Sequence, residues 1–279
     1  MAIDSMQDMA IPPLQLNWRG LLAERGYQVA VLLFCLIHLS LLLYDTSHPS
    51  AFLVADRGEK RLAKIEAFAE AVHNGDSLGK LFVATGSPGD YLFHAFFYLW
   101  GGRQGVAVAQ LVAGLVGITY LYLLAHRLTG SSLAATMATI LYILLPASVQ
   151  YPHVLLTEGF FNPLVIACVY YLVRYLQDEE HPVVHLLASG FLLSVATLLR
   201  EVILPIAGLV LLVLLLLALR GRIRWGHLVA YAAASLVLPL VLMSFFYGGE
   251  RSQCGFQPGW PDCTYQPYGK DQSTAHSGR

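Results

Sequence analysis

Long apolar stretches recur along this chain, separated by short runs of turn residues or arginines. The first, "GYQVAVLLFCLIHLSLLL" with Tyr44, covers 27–44, and others cover 104–125, 131–149 and about 154–176. About 20 helical residues cross a hydrocarbon core of roughly 30 Å, and each run is near that length. The region 183–219 is too long for one crossing and divides at Arg200–Glu201. That division sets Pro205 in the first turn of the second piece, where a missing N–H costs least. A last run covers 227–247. The pattern predicts an all-α polytopic membrane protein of about seven transmembrane helices. It divides into a cytoplasmic N-terminal segment 1–26, a transmembrane module 27–247 and an outer tail 248–279 with a polar, disordered-looking end. The first run lacks a small-x-small cleavage site and reads as a retained span.

The period changes in the loop 45–103. From Gly58 to Val72, the residues Leu62, Ile65, Phe68, Ala69 and Val72 recur at helical spacing, with Lys, Arg and Glu opposite. This predicts an amphipathic helix along the membrane surface. "TGSPGDYLFHAFFYLWGG" then turns into a second, aromatic helix suited to the interface. Arginine placement sets the orientation. With the N-terminus in the cytoplasm, Arg19, Arg25, Arg127, Arg174, Arg220, Arg222 and Arg224 share that side, and the short outer loops hold only Arg200. The loop 45–103 carries Arg57, Lys60, Arg61, Lys64, Lys80 and Arg103, but long loops weigh little in this rule. The chain is therefore expected N-in and C-out.

Composition agrees with this reading. The 279 residues are 56% hydrophobic and 13% charged, against about a quarter charged in soluble domains. Mean hydropathy is +0.58. A net charge of −1 without a basic stripe speaks against a nucleic-acid partner. There is no phosphate-binding loop, CxxC, HExxH or GxSxG. Cys35 and Cys168 fall inside spans, whereas Cys254 and Cys263 lie in the outer tail. An oxidising compartment suits a disulfide between the latter two, with free thiols the alternative.

Polar residues collect at the outer ends of the spans. They are Asp56 and Arg57; Asp90, Tyr91 and His94; Tyr151, His153 and Glu158; and the hairpin pair Arg200 and Glu201. A glutamate just inside an apolar helix is costly unless it has a partner or lines a wet cavity. Plainer roles stay open. Asp56 suits a helix N-cap, Glu158 could simply pair with Arg200 to join two helices, and His94 and His153 could be interfacial packing.

Four phrases resemble the GT-C glycosyltransferase superfamily: "ADRGEKRLAKIEAFAEA", "GSPGDYLFHAFFYLWGGRQGVAVAQLVAG", "LLPASVQYPHVLLTEGFFNPL" and "ATLLREVILPIAGLVLL". That superfamily includes protein O-mannosyltransferases and the lipid A aminoarabinose transferase, and the resemblance covers residues about 20–247. It implies transfer of a sugar from a polyprenyl-phosphate carrier to a lipid, glycan or protein acceptor outside the cytoplasm, in a bacterial inner membrane. On that resemblance Asp56 would be the general base with Glu158 beside it. Arg200, Arg57 and His153 would hold the donor phosphate, and Glu201, Asp90, Tyr91, His94 and Tyr151 would bind substrate. No tightly held metal is expected; a divalent ion (Mg or Mn), if used, would fall to Asp56 and Glu158. The chain departs from the superfamily in two ways. It stops after its seventh span and short tail, and "ADRG" carries one acid rather than a pair. An accessory subunit of an envelope-polysaccharide complex, partnered by another membrane protein, is therefore the alternative. A lipid transporter or flippase is a further one, although the charges lie at span ends rather than at the midplane.

Overall fold

The structure is a computed structural model that describes residues 18–47, 56–74, 88–150, 156–178 and 182–253. Every regular element among the described residues is helical. In chain order these are α1 (Trp18–Ala23), α2 (Arg25–Ser47), α3 (Asp56–His73), α4 (Pro88–Thr129), α5 (Ser132–Leu144), α6 (Pro146–Gln150), α7 (Glu158–Gln177) and α8 (Val183–Leu199). A 3₁₀ turn (Glu201–Ile203) then leads to α9 (Leu204–Leu219) and α10 (Trp225–Gln253).

Three stretches are long and apolar enough to cross a bilayer: Arg25–Tyr44, Gly89–Thr129 and Glu158–Gln177. Four apolar helices are shorter: Ser132–Leu144, Val183–Leu199, Leu204–Leu219 and Trp225–Val241. Local causes shorten two of them. Leu145 is extended (φ −63°, ψ 130°) because Pro146 follows and disfavours α-helical backbone before it, so α5 stops at Leu144. Arg200 is extended as well (φ −154°, ψ 110°), which ends α8, and α9 opens with Pro205 in its first turn. The outward faces of these helices are apolar: Leu43, Leu141, Leu209 and Leu240 are each about three-fifths exposed. Such belts suit lipid rather than water, as in an integral membrane protein.

The aromatic helix and the second span expected from the sequence form one element, α4. It bends at Gly101 and Gly102, where Gly102 has φ 57°. That left-handed backbone favours a residue without Cβ. The bend divides α4 into a short arm, 88–100, and a long arm, 103–129. In the elbow lies α3, whose Leu62, Ile65 and Phe68 are buried against Ala95 of the short arm and Val106 and Ala107 of the long one. The apolar stripe of α3 thus packs against protein, and Val72 at its end is 37% exposed.

The main core lies among α7, α8, α9 and α10, around Tyr175, Leu193, Ala196, Ile203, Leu214 and Tyr231. A second cluster joins α2, α4, α5 and α7 through Tyr27, Tyr122, Ala135 and Tyr170. Hydroxyls within it find partners, as burial away from water requires: Tyr27 pairs with Thr119 at 2.9 Å and Tyr120 with Tyr171 at 2.9 Å. The helices alternate in direction, so charged groups gather at two ends. At one end Arg127 pairs with Asp178 and donates to Gln177 at 2.9 Å, and Ser132 donates to Glu24 at 2.9 Å. The other end brings together α3, the short arm of α4, the start of α7 and the end of α8.

Candidate functional site

Arg61 is the hub of that second end. It projects from α3, is 18% exposed and forms an ion pair with Asp90 of the short arm. Its Nη2 also donates to Thr157 Oγ1, just before α7, at 2.6 Å. Asp90 is 2% exposed, and a carboxylate buried to that degree needs charge-assisted partners. His94, one turn along the arm, comes near as well, although Asp90 Oδ1 makes no hydrogen bond. The His94 Nδ1 lies 2.8 Å from the Asp90 carbonyl oxygen and 3.1 Å from the Asp90 carboxylate. Because a carbonyl only accepts, Nδ1 carries the proton, which leaves Nε2 to accept from Gln110 Nε2 at 3.4 Å. Gln110 also donates to the Leu156 carbonyl at 3.1 Å, tying the long arm to the approach to α7.

Two glycines lie at close approaches in the assembly. A Cβ on Gly159 would stand 2.7 Å from Gln110 Nε2 and would push that side chain off His94 and the Leu156 carbonyl. Phe160 then packs edge-on against Phe93 and His94, with ring centroids 5.0 and 5.2 Å away. On the other side Gly89 lies against the backbone of Leu198, bringing the head of α4 next to the end of α8. Arg200 follows two residues later. Its Nη1 donates to Glu158 Oε1 at 2.6 Å, and its guanidinium lies 5.9 Å from the Phe161 ring. The Arg200 side chain is 45% exposed and Glu158 18%, so this pair opens to the surface.

The two ion pairs are neighbours, since Thr157 and Glu158 are consecutive. Burial draws the Arg61 guanidinium below its ordinary pKa; Tyr91 and Glu158 raise it and Arg200 lowers it again. Tyr91 carries two cations near its ring, Arg61 at 5.8 Å and Lys64 at 5.6 Å from the centroid. The end therefore presents exposed cationic groups over a buried layer of Asp90, His94 and Gln110.

Of the residues expected from sequence, Asp90, Tyr91, His94, Glu158 and Arg200 are brought together here. Asp90 and His94 lie behind Arg61 rather than at the surface, His94 being fully buried. Asp56 is the first residue of α3, about 7 Å along the helix axis from Arg61. The side chains of Asp56, Arg57 and Glu201 lie outside the described residues, as do Tyr151, His153, Cys254 and Cys263 entirely. Among the described residues no three His, Cys, Asp or Glu side chains gather in a way that could hold a metal ion.

Sequence reasoning passed over Arg61, Thr157 and Gln110. Arg61 could have been found, because it shares the i, i+4, i+7 stripe with Ile65 and Phe68, and a cation on a buried stripe requires a partner.

The model of the family described as dolichyl-phosphate-mannose-protein mannosyltransferase matches residues 88–246. The matched segment runs from the short arm of α4 into α10 and is more than half of the chain; α3 precedes it. No curated protein and no solved structure matches.

Proposed function

Because the chain belongs to the dolichyl-phosphate-mannose-protein mannosyltransferase family, a family of membrane glycosyltransferases, we propose that it moves a sugar from a polyprenyl-phosphate carrier to an acceptor outside the cytoplasm. All seven apolar helices then cross the bilayer, the four shorter ones with help from flanking residues, and the N-terminus is cytoplasmic. The setting is a bacterial inner membrane, with the Arg61–Arg200 end on the outer face.

The observation that carries this reading is the meeting of Arg200, Glu158, Arg61 and Asp90 at one end of an apolar bundle, within and beside the matched segment. The acceptor hydroxyl or amine attacks the anomeric carbon, whose bond to the phosphate oxygen breaks, and the configuration inverts. Asp56, at the head of α3, takes the acceptor proton. Polyprenyl phosphate leaves with the bonding electrons, and Arg200 offsets the negative charge that develops on it. Glu158 keeps Arg200 oriented, and Asp90 and His94 brace α3 from beneath. A divalent ion would find Asp56 and Glu158 as carboxylate ligands; no step above depends on one.

The test uses membranes holding wild type or Asp56→Asn, a panel of polyprenyl-phosphate sugars and measurement of free polyprenyl phosphate. Release by wild type alone is expected. Equal release by both would remove Asp56 as the base. A folded wild type inert toward every donor would overturn the transferase reading in favour of an accessory subunit.

A further inference from the structure

We propose that Arg61 and Lys64 of α3 join Arg200 as a cationic clamp for the phosphate of a lipid-linked ligand. The inference rests on the transferase reading above and adds to it residues that lie before the matched segment.

Arg61 is held in place rather than free to swing. Asp90 and Thr157 both engage Nη2, while the buried Nε has no hydrogen-bond partner. A guanidinium fixed in this way offers its Nη1 to an incoming anion at little cost in side-chain entropy. Its position relative to Arg200 is set by the chain, because the groups they contact at the start of α7, Thr157 and Glu158, are neighbours in sequence. Lys64 lies three residues further along α3, exposed, and has no carboxylate partner among the described residues. It flanks the same Tyr91 ring as Arg61.

Accessibility points the same way. Lys64 is exposed and the Arg200 side chain is 45% exposed, so both cations can meet a phosphate arriving at this end. The cluster's location at one end of an apolar bundle favours a phosphate carried on a lipid tail that lies along the helices. Free phosphate shares the headgroup chemistry but lacks the tail.

The full chain, purified in detergent, would be titrated with a short-chain polyprenyl monophosphate, the polyprenol of the same length, and inorganic phosphate. Wild type should bind the monophosphate at least about tenfold more tightly than either of the others, as charge-assisted contacts imply. Lys64→Gln, at an exposed position, should reduce that preference roughly threefold. Arg61→Gln alone strands Asp90, so Arg61→Gln with Asp90→Asn is the cleaner variant and should lose most of the preference. A preference that survives both variants would overturn the clamp, and inorganic phosphate binding as tightly as the monophosphate would overturn the lipid-linked ligand. Preference in a wild type that releases no sugar would leave the clamp standing while the transferase reading falls. Sugar release with a variant-insensitive preference would do the reverse.

Discussion

Gly89→Ala tests whether the close approach of α4 to α8 builds the site. The new Cβ would stand 2.6 Å from the carbonyl carbon of Leu198 and 2.8 Å from its Cβ, with the carbonyl oxygen nearer still. Ordinary contact begins at 3.4 Å, so clearing the carbonyl oxygen requires the two backbones to part by about 1 Å. Neither can yield by rotating a side chain, because the obstacle is main chain. Overpacking of this kind costs about 1–3 kcal/mol. The wedge also falls between the two ion pairs, since Asp90 follows Gly89 and Arg200 follows Leu198 by two residues. A misplacement near 1 Å between substrate-positioning groups costs roughly a hundredfold in rate. The assay pairs thermal unfolding in detergent with turnover of the donor identified above. Gly208→Ala on α9, where nothing lies within 4 Å of the new Cβ, is the control. It should be neutral or gain up to about 1 kcal/mol. A Gly89→Ala protein with wild-type melting and turnover would refute the claim that this approach sets the spacing of the two pairs.

Three further outcomes are expected. Asp90→Asn should lower stability by about 3 kcal/mol, the low end for a broken buried pair because Arg61 keeps some exposure, and adding Arg61→Gln should recover more than half of the loss in a double-mutant cycle of unfolding free energies. Arg200→Ala should cost no more than about 1 kcal/mol, given its 45% exposure, yet lower turnover by more than tenfold; a stability loss that accounts for the whole effect would count against a role in transfer. Arg127→Gln, at the opposite end, should destabilise by no more than about 1 kcal/mol, because Asp178 keeps Arg174 at 3.5 Å and His185 at 3.7 Å, while the KM for donor stays unchanged; a changed KM would mean that the two ends communicate.

The sequence made some of this legible and hid the rest for physical reasons. Apolar runs announce helices regardless of context, so α2, α7 and α10 lie close to where periodicity puts them. Arg200–Glu201 interrupts an apolar run, and the helix breaks there. The amphipathic stripe of α3 was visible too, but periodicity cannot say whether a stripe meets lipid or protein, and it packs into the elbow of α4. The elbow itself was obscured because Gly101–Gly102 looks like the end of one helix and the start of a loop, whereas the chain resumes helix at once. Asp90, His94, Glu158 and Arg200 drew attention as charges at span ends. Arg61 did not, because it was counted among the many charges of a long loop. Thr157 and Gln110 carry no charge, and their significance arises only from the crossing of three helices.

The short arm of α4 also has consequences for how such a chain can change over time. Asp90 reaches Arg61 from an elbow about a dozen residues away, along a helix that turns roughly 100° and rises about 1.5 Å per residue. One residue inserted or lost between Tyr91 and Trp100 would swing Asp90 a quarter turn or more away from its partner and leave a lone charge in the interior. Insertion of seven would restore the phase to within about 20° but carry the carboxylate some 10 Å past α3. Substitutions along the lipid side of this arm can drift freely, whereas its length cannot. Among descendants of this chain, insertions and deletions should be absent from the arm between Pro88 and the elbow.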